Sequence, residues 1–189
     1  MKKTIILAAA LLGGISLNAQ TYTLDPAHSS LGFWVTHLKL SEMPGEFKKM
    51  DVKFTATKAD YSDASLELTA DVNSLTTGNE GRDKHLKSAD FFDAEKNPTL
   101  TFKSKSFKAM KGGVYKVTGE LTMHGVTKTV DIMATMKGKS VNPFTKKDVY
   151  VWRVNGKIKR SDFGIGATMP NDVVDDIVTL NANLEFGKE

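Results

Sequence analysis

Four histidines are the first candidates for chemistry: His28, His37, His85 and His124. A metal site wants ligands at short fixed spacing, such as two histidines four apart on a helix. No pair here has it. Each histidine has a plainer role, capping a turn or bonding backbone. Ser29 beside His28 raises the question of a hydrolase. The chain has no Gly-x-Ser-x-Gly elbow, and Ser29 opens a strand rather than a strand-to-helix turn. A triad is defined by geometry and not by order, so the sequence leaves that point open. Arg82-Asp83 and Arg160 with Asp162 form two Arg/Asp sets. Such pairs tie loops to strand ends through charge-assisted bonds. Alternatively, Arg82, Lys84, His85 or Arg160 meets a polar or anionic head group. Gly78, Gly81, Gly125 and Gly164 suit tight turns better than a phosphate cradle. No catalytic residue, metal or cofactor is assigned.

The elements that would position these residues are strands. Apolar and polar residues alternate with period 2 over residues 29–37, 48–57, 65–75, 99–106, 114–123, 127–136, 148–159 and 176–187. Turn residues separate them, notably Lys111-Gly112-Gly113 and His124-Gly125-Val126. Residues 38–47 carry Pro44 and Gly45 and are expected to hold one helical turn. Residues 137–147 and 160–175 read as loops. One segment has helical character, 80–88, with Asn79 as N-cap and Leu86 as its apolar anchor. A helix that short is unstable alone. The pattern therefore predicts an all-β chain: eight long antiparallel strands closed into a barrel, with the helix, Phe91 and Phe92 plugging one open end.

Bulk properties narrow the function. The 189 residues include no cysteine, so neither a disulfide nor a thiol-linked lipid anchor is available. Lys2 and Lys3, the apolar run from Ile5 to Leu12 and Ala19 read as a secretory leader over 1–19. The run is too short for a stable membrane anchor. The rest, 20–189, is expected to be one exported domain, periplasmic or secreted. With Lys2 and Lys3 removed from 26 basic residues, the remainder stands close to balance against 22 acidic ones. The charges are interspersed, and the clustered basic face that nucleic acid requires is missing.

Several stretches together resemble the YceI-like family of secreted, lipocalin-like bacterial proteins. They are Asp25-Pro26-Ala27-His28-Ser29, Val35-Thr36-His37, Gly45-Glu46-Phe47, Thr77-Gly78, Arg82-Asp83-Lys84-His85-Leu86 and Asp90-Phe91-Phe92-Asp93. Gly119-Glu120-Leu121-Thr122, His124-Gly125-Val126-Thr127-Lys128 and Arg160-Ser161-Asp162-Phe163-Gly164 complete the set, in the family's order. Trp34, an aromatic on the outer face, departs from the pattern. The resemblance implies an extended eight-stranded barrel, a capping helix and a long apolar cavity. It also implies binding of polyisoprenoid or other long-chain amphiphiles without established catalysis.

On either footing, function lies in what the barrel holds. The inward parity predicts a lining of Phe33, Val35, Val52, Phe54, Leu66, Leu68, Phe102, Val117, Leu121, Ile132, Trp152, Val154, Leu180 and Leu184. Phe91 and Phe92 close one end, with Arg82, His85 and Arg160 at the mouth. Ala134 and Ala182 thin the wall. The expected partner is a long-chain amphiphilic lipid, isoprenoid or fatty-acid-like, held for transport, storage or sequestration. The alternative is an enzyme acting on a lipid-like substrate in the same cavity. The mouth, the delivery partner and a homodimer are left open. The leader reading predicts that exported protein begins near Gln20; N-terminal mass analysis showing Met1 retained would overturn it.

Overall fold

The computed structural model describes residues 19–188, so the leader lies outside the described residues apart from Ala19. Eleven strand segments and one α-helix follow in order. They are β1 (Gln20–Leu24), β2 (Ser30–His37), β3 (Ser41–Phe47), β4 (Met50–Ala56), β5 (Ser65–Asp71), β6 (Leu75–Thr76), α1 (Glu80–Lys87), β7 (Thr99–Ala109), β8 (Val114–Met123), β9 (Val126–Val141), β10 (Asp148–Lys159) and β11 (Val174–Lys188).

Every pairing is antiparallel. β1 and β2 both lie along β11, with Thr23 opposite Gly187 and Phe33 opposite Leu180. β4 continues from β1 as β3 does from β2, and β5 and β6 follow β4 and β3 in turn. Six segments are thus three long strands, each broken once, and the whole is a closed eight-stranded barrel. Closure through β1 and β11 gives each of these strands a partner on both sides along part of its length.

The helix forms where its cap places it. Asn79 is extended, and its side-chain oxygen accepts from the Arg82 N–H. Residues 38–47 depart from expectation. Leu38 and Lys39 take positive φ in a tight turn, and the rest is β3. Pro44 argues against a strand because it cannot donate to a ladder. Here β3 has a neighbour on its far side only at Glu46 and Phe47, so Pro44 leaves no far-side bond unmade. Gly45 is needed for space. A Cβ there would lie 2.2 Å from the tip of the Phe33 ring. Two strands also run further than the alternation implied, β7 to Ala109 and β9 to Val141.

Large side chains fill the end of the barrel away from α1. Phe54 stands 5.4 Å from Phe186, 5.5 Å from Trp152 and 5.1 Å from Tyr22, ring centre to ring centre. Tyr61, from the β4–β5 connection, sits at positive φ and packs edge-on against Trp152 at 5.0 Å. Its burial pushes the phenol pKa up, helped by a hydrogen bond with Tyr22. The buried Trp152 indole N–H finds no acceptor among the described residues. Glycine makes room elsewhere: a Cβ on Gly119 would lie 2.4 Å from the Phe102 ring and 2.6 Å from the Lys103 carbonyl oxygen. The ring can swing, but the carbonyl is fixed in the ladder. Gly119→Ala is therefore expected to cost about 1–3 kcal/mol, read as a fall in Tm with the barrel's circular dichroism retained.

Candidate functional site

Two apolar chambers occupy the barrel between the aromatic end and α1. The larger, about 90 Å³, is bordered by Leu31, Phe33, Phe47, Leu66, Leu68, Leu100, Phe102, Phe107, Val117, Leu121, Met123, Val130, Ile132, Ala134, Val154, Leu180, Ala182 and Leu184, with Gly32 and Asn181 at its rim. The second, about 80 Å³, lies beneath α1. It is bordered by Phe33, Val35, Phe47, Leu86, Phe91, Phe92, Leu100, Met123, Ile158, Arg160, Ile165, Val174, Val178 and Leu180. Phe33, Phe47, Leu100, Met123 and Leu180 border both. The chambers therefore abut at one collar of side chains. Phe47 packs edge-on against Phe92 at 6.0 Å and stands 6.1 Å from Phe33.

The expected lining divides into three groups. Phe33, Leu66, Leu68, Phe102, Val117, Leu121, Ile132, Val154, Leu180 and Leu184 border the larger chamber. Val35, Phe91, Phe92 and Arg160 border the second. Val52, Phe54 and Trp152 are buried but border neither, which corrects their placement. Phe54 and Trp152 belong instead to the aromatic packing that fills the far end. Parity says which face a residue takes, not how far along the axis its neighbours are large.

The β7–β8 register shifts between Ser104 and Ser106, so one extra residue inverts the alternation and turns Phe107 inward. Phe47 ends a strand that Pro44 and Gly45 disguise in the sequence. Leu31, Met123 and Val130 share the inward parity of their strands, and that signal was available in the alternation.

The polar candidates stand away from the chambers or are fully engaged. Arg82 borders neither chamber; its Nε donates to Thr77 Oγ1 at 2.7 Å and its Nη2 to the Thr77 carbonyl at 2.9 Å. Asp83 accepts from Thr76 and Thr77. Its burial alone would raise its pKa, but these hydrogen bonds outweigh that and hold it below the usual range. His85 is half exposed, edge-on to Phe91 at 5.0 Å and 3.5 Å from the Asp90 carboxylate. Neither Arg82 nor His85 borders a chamber, though His85 packs on Phe91, which does.

Arg160 is 5 % exposed and is the buried charge of the core. Its Nε donates to the Asp175 carbonyl. Nη1 donates to the carbonyls of Ile165 and Gly166, and Nη2 to those of Met169 and Val174 and to Asn171 Oδ1. All five N–H groups are accounted for. Only the stem is left to face the second chamber. The guanidinium therefore folds the 160–175 loop over the barrel end and has no donor free for a head group.

The remaining constellations lie on outer turns. His124 Nδ1 bonds the Phe163 carbonyl at 2.9 Å. Ser29 Oγ accepts from the Glu185 N–H at 3.0 Å, while the His28 ring goes to Asp25 at 2.8 Å, so no Ser–His dyad forms. Asp25, His28 and Glu185 bring three potential metal-ligand atoms within 4.8 Å of one another. The hydrogen bond from His28 lowers the Asp25 pKa, and that hydrogen bond, together with the negative charges of Asp25 and Glu185, raises that of His28. These neighbours favour the protonated imidazole.

Matches to known proteins agree with this geometry. Residues 22–186 match the family model for the YceI-like domain. The chain belongs to the YceI-like family. It is 36 % identical over 180 residues to a UPF0312 protein of Vibrio cholerae, covering 93 % of this chain and 95 % of that one. Among solved structures, it is similar to BcnA of Burkholderia cenocepacia, at a TM-score of 0.78 and 26 % identity over 86 % of this chain and 98 % of that one. A polyisoprenoid binding domain from Saccharophagus degradans shares the fold at a TM-score of 0.65 and 18 % identity, covering 89 % and 98 %.

Within this YceI-like barrel, Arg160 gives a direct test. Lysine keeps the charge but offers three donors for six acceptors. Arg160→Lys is expected to destabilise by about 3 kcal/mol, since buried carbonyls lose their partners. Denaturant unfolding would read this as a lower midpoint, and unchanged stability would contradict the tether.

Proposed function

We propose that this protein is an exported carrier holding the apolar chain of a polyisoprenoid or other long-chain amphiphile inside the barrel. The observation that carries the reading is the pair of abutting apolar chambers, in which the charged contributor, Arg160, is already saturated by protein acceptors. A tail passing the shared collar would contact both. Burial of a hydrocarbon chain contributes about 0.8 kcal/mol per CH₂, so a long tail binds with few polar contacts. Membership of the YceI-like family supports the reading, and the polyisoprenoid binding domain of Saccharophagus degradans shows the same barrel in a protein described as binding such lipids. Transport, storage or sequestration is the role this implies. The leader-like N-terminus supports export, and among the described residues no helix is long and apolar enough to cross a membrane. Binding is favoured over catalysis because the histidines and most carboxylates sit on outer turns and strand faces.

The proposed contacts are the inward residues of both chambers, with Ala134 and Ala182 opposite Val154 as the thinnest part of the wall. Organic extraction of purified protein followed by mass spectrometry is expected to recover a long-chain amphiphile in stoichiometric amount. Ala134→Phe adds a ring to the larger chamber. Lost lipid binding with a nearly unchanged Tm is the expected result. Retained binding with a large drop in Tm, the mark of overpacking at about 1–3 kcal/mol, would overturn it.

A further inference from the structure

The β9–β10 hairpin runs on past the end of β8. The last β8–β9 pair is Val114 with Thr135, yet β9 stays paired with β10 as far as Val141 opposite Asp148. Residues 136–141 therefore have no partner on the β8 side. β10 behind them stays paired with β11 as far as Val149, so what stands clear of the sheet is Val141, Asp148 and the 142–147 turn between them. The turn at its tip is built rather than loose. Asn142 Oδ1 accepts from the N–H groups of Phe144 and Thr145, and the Asn142 N–H donates to the Lys147 carbonyl. That turn holds Phe144 92 % exposed, with Val141 exposed beside it. The β7–β8 turn packs along this arm, with Gly113 facing the Met136 carbonyl, and adds exposed Met110.

Cations surround these apolar groups. Lys137, Lys146 and Lys147 on the arm, with Lys108 and Lys111 on the neighbouring hairpin, make no ion pair among the described residues, whereas Lys139 is paired with Asp148 at 2.7 Å. Asp148 is the sole acidic residue of 137–148. The other exposed apolar group, Leu38, Leu40 and Ile177 near the opposite end, has Asp172, Asp175 and Asp176 close by in the chain, with Lys39 paired to Asp175 at 3.1 Å. Lysines also guard free strand edges against pairing with another chain. A guard explains the charge, but not a phenylalanine held at the apex by a structured turn.

We propose that this arm is a docking surface for anionic lipid membranes: Phe144 and Val141 insert at the interface while the lysines meet lipid phosphates. The surface is separate from the chambers, so the inference does not rest on what they hold. The test is co-sedimentation of purified protein with vesicles of phosphatidylglycerol and phosphatidylcholine in a one-to-two ratio, and with vesicles of phosphatidylcholine alone. Binding is expected on the anionic vesicles and not on the neutral ones, with loss in molar salt. Replacing Lys146 and Lys147 together by glutamine is expected to weaken partitioning about thirtyfold. Phe144→Ser should weaken it about tenfold or more, and Leu40→Ser should leave it unchanged. Absence of wild-type binding to anionic vesicles would overturn the proposal, as would equal binding by the arm variants. So would a wild-type dimer that Phe144→Ser dissolves without any vesicle binding, which would make the arm a contact between copies.

Discussion

The structure depends on the double use of β11. One edge of this strand pairs with β10 along eleven residues, and the other takes β1 and β2 in succession. The break between β1 and β2 is anchored to the same strand. The Asp25 N–H donates to the Glu185 carbonyl, and the Glu185 N–H donates to Ser29 Oγ. Backbone groups at the break thus keep partners, and the barrel closes without a long exposed edge. Asp25 and His28 belong to this closure. Their mutual hydrogen bond fits a turn clamp, and the lowered Asp25 and raised His28 pKa values are consequences of it.

Closure makes an inside, and side-chain size along the axis decides what the inside is. Aromatic rings crowd one end and remove any space for a ligand there. Small residues take the middle, where Ala134 and Ala182 both lie opposite Val154. The other end is roofed by α1, Phe91, Phe92 and the loop that Arg160 gathers. A buried guanidinium is costly unless every donor is matched, and here each one meets an acceptor. It gives an irregular loop the backbone partners that a strand would have supplied.

Outside, ion pairs run across neighbouring strands, such as Lys103 with Glu67 and Lys116 with Asp131. These pairs are exposed, so each contributes little to stability. Their effect is to balance charge over the wall, which makes the unpaired lysines of the β9–β10 arm a local excess. Past Thr135, β9 has lost its β8 neighbour and runs as a free edge, while β10 behind it stays paired with β11 as far as Val149.

The sequence by itself determined the strand faces, the two exact strands β8 and β10, and the helix with its Asn79 cap. These follow from period-2 alternation and capping chemistry, which act between near neighbours. It also placed ten of the expected lining residues on the larger chamber. What only the tertiary structure decided is everything set by distant partners. Pro44 and Gly45 could enter a strand because β3 has little on its far side and Phe33 needs the space above Gly45. Phe107 turned inward through a bulge that shows only in the pairing with β8. Val52, Phe54 and Trp152 share the inward parity of the lining, yet they border no chamber, because residues distant in the chain crowd that end. For Arg160 the sequence offers both a loop tether and a head-group ligand, and the six oxygens around it make it the tether. Local pattern fixes which way a side chain points; packing between strands far apart in sequence fixes what it meets.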